Sequence, residues 1–170
     1  MMNPLDEHIK TFQFTMAAIK VARRALDRRL DPLSNTDLYS LPPQEGREML
    51  DQAEENLCKL MVFALFATFE RTLRDHLSES LESLSTSATT PAELAAKLHE
   101  FLRNGIDNWR VNDIIELFYP PAAEQDINNA KNIRTFRNHV AHGSTPPSSI
   151  PPETAHAQLS NFLKSASLAV

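Results

Sequence analysis

This 170-residue sequence has one cysteine and three glycines. Cys58 alone cannot form an intramolecular disulfide, and no cysteine cluster exists to build a structural zinc site. That usage fits a reducing cytoplasm. Few glycines and few β-branched runs leave little for the tight turns and alternating strands of a sheet. No apolar run is long enough to span a bilayer: residues 57–69 are the most apolar stretch, but Lys59 interrupts it and it falls short of the ~20 residues a span requires. The first residues, Met1-Met2-Asn3-Pro4-Leu5-Asp6-Glu7, have neither a basic start nor a signal-length apolar stretch. The chain is therefore expected to be cytoplasmic, without membrane contact. Basic residues are outnumbered 17 to 22, and the net charge of -5 repels nucleic acid as a whole, so any such contact must be local.

What the sequence has is leucine and alanine at helical spacing, together with eleven prolines that punctuate it. Length and a 42% hydrophobic content suit one domain over 1–170, all-α, with about four long helices and some short ones. Leu5, Ile9, Phe12, Met16, Ile19, Leu26 and Leu30 recur mostly three and four apart and predict a helix from about Pro4 to Leu30. Asp31-Pro32 ends it, because proline disfavours helical geometry in the residue before it. A loop follows through Ser34, Asn35, Thr36, Leu41, Pro42 and Pro43. From about Glu45 to Leu84, Met49, Ala53, Leu57, Leu60, Ala64, Phe69, Leu73, Leu77, Leu81 and Leu84 trace one face of a long helix.

After a polar loop, Thr90-Pro91 starts a short helix that Asn104-Gly105 is expected to close near Arg103. Val111 to Phe118 forms another before Pro120-Pro121. Ala122 to His142 is the next long helix, with Ile127, Ala130, Ile133, Phe136 or Arg137, and Val140 inward and Gly143 as its cap. Four prolines stiffen the connector at residues 145–152. A last helix, from about Pro152 to Leu168, buries Leu159, Phe162 and Leu163.

Chemistry concentrates in Arg137-Asn138-His139-Val140-Ala141-His142-Gly143. On a regular helix Arg137 and His142 lie about 140° apart, whereas Asn138 and His142 share one side, so Arg and His converge only through a bend, a frayed turn or a second chain. Arg137, Asn138 and His142 match the Arg-polar-x-x-x-His signature of the HEPN superfamily, and the chain resembles a HEPN-like nuclease domain. Residues 66–74, with Glu70 at their centre, resemble the acidic segment that several HEPN branches carry in an earlier helix. The resemblance implies a homodimer whose motif helices face a shared cleft, metal-independent cleavage of RNA, and a toxin–antitoxin or antiviral setting with an antitoxin protein as partner. Toxins of this kind commonly carry a tyrosine two residues beyond the motif histidine; here that residue is Ser144.

The residue types suit that reaction on their own terms. RNA supplies its nucleophile in the 2′-hydroxyl, so an enzyme needs a base, an acid for the leaving 5′-oxygen, and positive charge for the phosphorane. Histidine exchanges protons near neutral pH, and arginine binds phosphate through two donors. His142 and Arg137 are accordingly the candidate catalytic pair, with Asn138 to orient His142 or bind phosphate, and no cofactor is required. Lys131, Arg134 and Arg137 recur every three residues and form a candidate phosphate-tracking row in a segment, 127–170, whose charge is 4 minus 1, or +3.

Plainer roles stand beside these. His142 can cap a helix C-terminus, where a cation is favoured. His139 and His142 have metal-pair spacing but no evident third ligand, so no metal is expected. Glu70 can pair with Arg74 one turn on. Arg23, Arg24, Arg28 and Arg29 interleave with Asp27 and Asp31 as a solvated face, and Trp109 reads as a core anchor. The alternative functions are a non-catalytic HEPN-like module that binds RNA, nucleotide or a protein through the same helix, and a purely structural helical dimer.

Overall fold

The computed structural model describes residues 3–28, 36–85, 92–106, 108–119 and 121–168. Every regular element among them is helical: α1 (Asp6–Arg28), α2 (Asp37–Ser40), α3 (Pro43–Ser85), α4 (Ala92–Ile106), α5 (Val111–Leu117), α6 (Glu124–Ala141) and α7 (Pro152–Ser165). The all-α class is therefore as expected. None of the described helices is long and apolar enough to cross a membrane. The expected helix end at Leu30 to Pro32 and the start at Thr90-Pro91 lie outside the described residues.

The core forms on α3. Leu65, Phe66, Phe69 and Leu73 are wholly buried in it, against Leu5, Ile9 and Phe12 at the start of the chain, Ile114 and Ile115 of α5, Ile133 and Phe136 of α6, and Leu159, Phe162 and Leu163 of α7. The Phe69 ring meets Phe162 edge-on, with centroids 5.1 Å apart, and Phe118 meets the same ring at 5.9 Å. Edge-to-face geometry places ring hydrogens against a neighbour's π-face and stabilises such pairs beyond their burial.

α1 runs antiparallel to α3. His8 Nε2 lies 2.8 Å from Thr68 Oγ1, while at the other end Arg23 bonds Asp51 and Glu54, and Arg47 bonds Asp27. The basic residues of α1 thus include a cross-helix clasp at Arg23, rather than a uniformly solvated face. Near that end Gly46 lets the helices approach, since a Cβ there would lie 2.8 Å from Leu26 Cδ2. α7 is tied to the start of α1 by Asn3, just before the helix, whose Nδ2 donates to Ser160 Oγ at 2.7 Å, and by His156 Nε2, 3.0 Å from Asp6 Oδ1.

Several boundaries differ from expectation. Asp37–Ser40 makes one helical turn inside the expected loop. α4 continues through Asn104-Gly105 to Ile106, where the Trp109 indole returns against Gly105. Arg74 fastens this junction to α3 by donating to the carbonyls of Ile106 and Trp109, the latter at 3.1 Å. Trp109 itself packs against the core, as expected of an anchor.

The main correction concerns α3. Met49 and Leu60 are 54% and 62% exposed, and Ala53 is exposed too, whereas Leu50, Met61, Val62 and Phe66 are buried in their place. A single 3.6-residue stripe describes a helix buried on one side only. α3 packs against α1, α4, α6 and α7, so its buried band is wider than that stripe: the two coincide at Phe69 and Leu73 and part at Met49, Ala53 and Leu60.

Removing Phe69 should therefore expose this dependence. Phe69→Ala is expected to lower stability by about 3–5 kcal/mol, and Leu60→Ala by less than about 0.5 kcal/mol. Urea unfolding monitored by helical circular dichroism measures both, and equal costs would contradict the assigned burial.

Candidate functional site

The motif occupies the last turns of α6. Ile127, Ala130, Ile133 and Phe136 face the core and set the rotation of the helix. Asn138 and His142 consequently turn away from the core, and Arg137 turns towards α3.

The helix ends in a Schellman motif. His142 is the C-cap, Gly143 follows in the left-handed region at φ 65°, the Gly143 N–H donates to the Val140 carbonyl at 3.1 Å, and the Ser144 N–H donates to the His139 carbonyl at 2.9 Å. These bonds satisfy carbonyls the helix itself leaves open. The capping role expected of Gly143 is thus met by its backbone geometry. Ser144 Oγ also donates to the His139 carbonyl at 3.2 Å and lies 2.9 Å from His139 Nδ1. His139 is held by this contact. His142, by contrast, is exposed and has no side-chain partner among the described residues.

Arg137 and His142 do not converge within one chain. The Arg137 guanidinium carbon lies 4.8 Å from the centroid of Phe63 in α3, a cation–π contact that covers one face of the cation. Its Nε is buried without a hydrogen-bond partner, while Nη1 donates to Asn138 Oδ1 at 3.2 Å. Asn138 thus bridges the separation: it receives Arg137 on one side, and it borders a shallow depression of about 260 Å³ shared with Thr135, His139, His142 and Ser144 on the other. Neither Phe63 nor Ser144 was a sequence-derived site residue. Phe63 lies in a different helix, and only folding brings it under Arg137.

The supporting residues have local partners. The Glu70 carboxylate accepts from Arg74 at 2.8 Å, and both side chains are about one-fifth exposed. Through Arg74 it acts on the α4–α5 junction, and it makes no hydrogen bond to Arg137, Asn138 or His142. Lys131 Nζ lies 2.6 Å from Glu116 Oε1 of α5, so a carboxylate offsets its charge. Arg134 is half-buried and has no partner among the described residues. Steps of three residues turn about 300°, so Lys131, Arg134 and Arg137 wind around α6 and do not form a straight row.

Behind the cap, a cavity of about 440 Å³ runs between α3 and the connector, bordered by Cys58, Lys59, Val140, Gly143 and Pro146. Burial raises the pKa of the Cys58 thiol above its ordinary value, and the negative charges of Glu54 and Glu153 raise it further. The thiol therefore stays protonated, which makes it a poor nucleophile near neutral pH. Lys59 is engaged by Glu55 at 2.5 Å. Among the described residues no group of three His, Cys, Asp or Glu is arranged to hold a metal ion.

Two measurements test this geometry. Gly143→Ala introduces no clash, because nothing lies within 4 Å of the added carbon. Its cost is purely conformational, an expected loss of about 1–2 kcal/mol in thermal or urea unfolding; an unchanged stability would deny the left-handed cap. Cys58 should react with iodoacetamide more slowly than a free cysteine at pH 8, and Glu54→Gln should speed the reaction by removing a charge that opposes the thiolate. A rate that matches free cysteine would refute the burial.

No protein-family model matches the chain, and neither does a curated protein or a solved structure.

Proposed function

We propose that this chain is a metal-independent endoribonuclease of the HEPN type, cytoplasmic, acting as a homodimer, with RNA as substrate and with a toxin–antitoxin or antiviral role. The observation that carries the reading is the end of α6: Asn138 accepts from Arg137 and shares a depression with His142, whose imidazole is exposed and has no side-chain partner among the described residues. The match of these three residues to the Arg-polar-x-x-x-His signature supports it, as does the all-α fold.

In this mechanism His142 takes the proton of a ribose 2′-hydroxyl, whose oxygen attacks the adjacent phosphorus. The 5′-oxygen leaves and receives a proton from the His142 of a second chain. Arg137 stabilises the charge that builds on the phosphorane oxygens. The products are a 2′,3′-cyclic phosphate and a 5′-hydroxyl. Because Arg137 and His142 diverge on one helix, each chain holds half of the site. A two-fold pair supplies the second histidine.

A second reading, a non-catalytic RNA- or nucleotide-binding module, is favoured by one observation: Phe63 covers the Arg137 guanidinium, which suits a fixed anion anchor. Incubation of purified protein with RNA in EDTA separates the two. The ribonuclease cleaves, and Arg137→Ala and His142→Ala each slow it by at least about 100-fold while the helical circular dichroism spectrum is kept. A binding module holds RNA without turnover and loses affinity mainly with Arg137→Ala. Undiminished cleavage by both variants sinks the ribonuclease assignment to these residues.

A further inference from the structure

A separate pocket of about 350 Å³ lies between α6, the proline-rich connector and the first turns of α7. Asn129, Asn132 and Thr135 line it from α6, Thr154 and Gln158 line it from α7, and none of its lining residues is charged. A phosphate or carboxylate would find no cation there to balance its loss of solvation. What the walls offer is neutral hydrogen bonding: each carboxamide has one acceptor oxygen and two donor hydrogens. Asn132, Thr154 and Gln158 have no side-chain partner among the described residues, so these groups are open to a ligand. Asn129 Oδ1 accepts from Gln125 at 3.0 Å, which leaves its NH₂ group as the free end.

Pro147, Ile150 and Pro151, with the nearly buried Phe136, add apolar surface to the same pocket. The combination selects a flat group with apolar faces and a polar edge that mixes donors with acceptors. A nucleobase has that form, and single-stranded RNA presents its bases for such recognition. Thr135 also borders the depression that holds Asn138 and His142, so the two spaces adjoin. Thr135 and His142 are two turns apart, about 10 Å along the axis. That separation suits the base of a nucleotide neighbouring the scissile phosphate.

We infer that this pocket is a binding subsite for an uncharged nucleobase, which sets sequence preference beside the cut. Its part in cleavage rests on the ribonuclease reading; its capacity to bind a nucleoside does not.

The test titrates the ¹⁵N-labelled full chain with adenosine, guanosine, cytidine and uridine into the millimolar range, with ribose and a neutral dipeptide amide as controls. At least one nucleoside should shift the side-chain amide signals of Asn132 and Gln158. Asn132→Ala and Gln158→Ala should each weaken that binding about tenfold, with thermal melting unchanged because neither side chain is buried. No response to any nucleoside, an equal response to ribose, a stronger response to the dipeptide amide, or undiminished binding by both variants overturns the subsite. Where RNA is cleaved, the same variants should keep cutting but change the preferred neighbouring base. Nucleoside binding without RNA cleavage would defeat the ribonuclease reading and leave the subsite standing, and cleavage without nucleoside binding would do the reverse.

Discussion

The edge-on contact between Phe69 of α3 and Phe162 of α7 is the interaction on which the rest of the molecule is arranged. Phe118, just after α5, meets the same Phe162 ring, so three elements that are distant in sequence share one aromatic junction. α6 is laid into the remaining space by Ile133 and Phe136, and that burial sets which of its residues face outward. The orientation of His142 is thus a consequence of core packing about two turns away. Aromatic burial of this kind is non-directional in driving force but specific in shape, which is how an apolar core can position a polar helix end.

Much of this architecture was legible in the sequence because local rules govern it. Apolar spacing located α1, α3, α6 and α7, and Gly143 marked the end of α6 because a left-handed cap favours a residue without a Cβ. The buried face of α3 was legible at Phe69 and Leu73 but not in its N-terminal half. Met49 and Leu60 satisfy a helical period as well as Leu50 and Met61 do, and only the positions of α1, α6 and α7 decide which set is covered. The turn at Asp37–Ser40 was likewise hidden, since a single turn carries no periodicity.

The candidate site divides in the same way. Helical geometry alone required Arg137 and His142 to diverge, and they do. That Arg137 would rest on Phe63, or that Glu116 would engage Lys131, follows from contacts between helices that no spacing in α6 encodes. The result is a motif whose members differ in freedom: Arg137 is braced by an aromatic ring and a neighbouring amide, while His142 is held only through its backbone. For the reaction proposed above, the braced Arg137 suits charge stabilisation, which gains from preorganisation, and the unpartnered His142 imidazole suits proton exchange.

The links to α7 from Asn3, just before α1, and from Asp6, its first residue, have a consequence for biosynthesis. These pairs are separated by 157 and 150 residues. While the chain is emerging from the ribosome, α1 and α3 can meet as a hairpin, but the aromatic face that awaits Phe162 stays uncovered until translation has passed α7. Closure of this face therefore waits for α7, long after α1 and α3 are able to pair. In that interval the exposed phenylalanines of α3 are a surface for chaperones or for premature association with a neighbouring nascent chain.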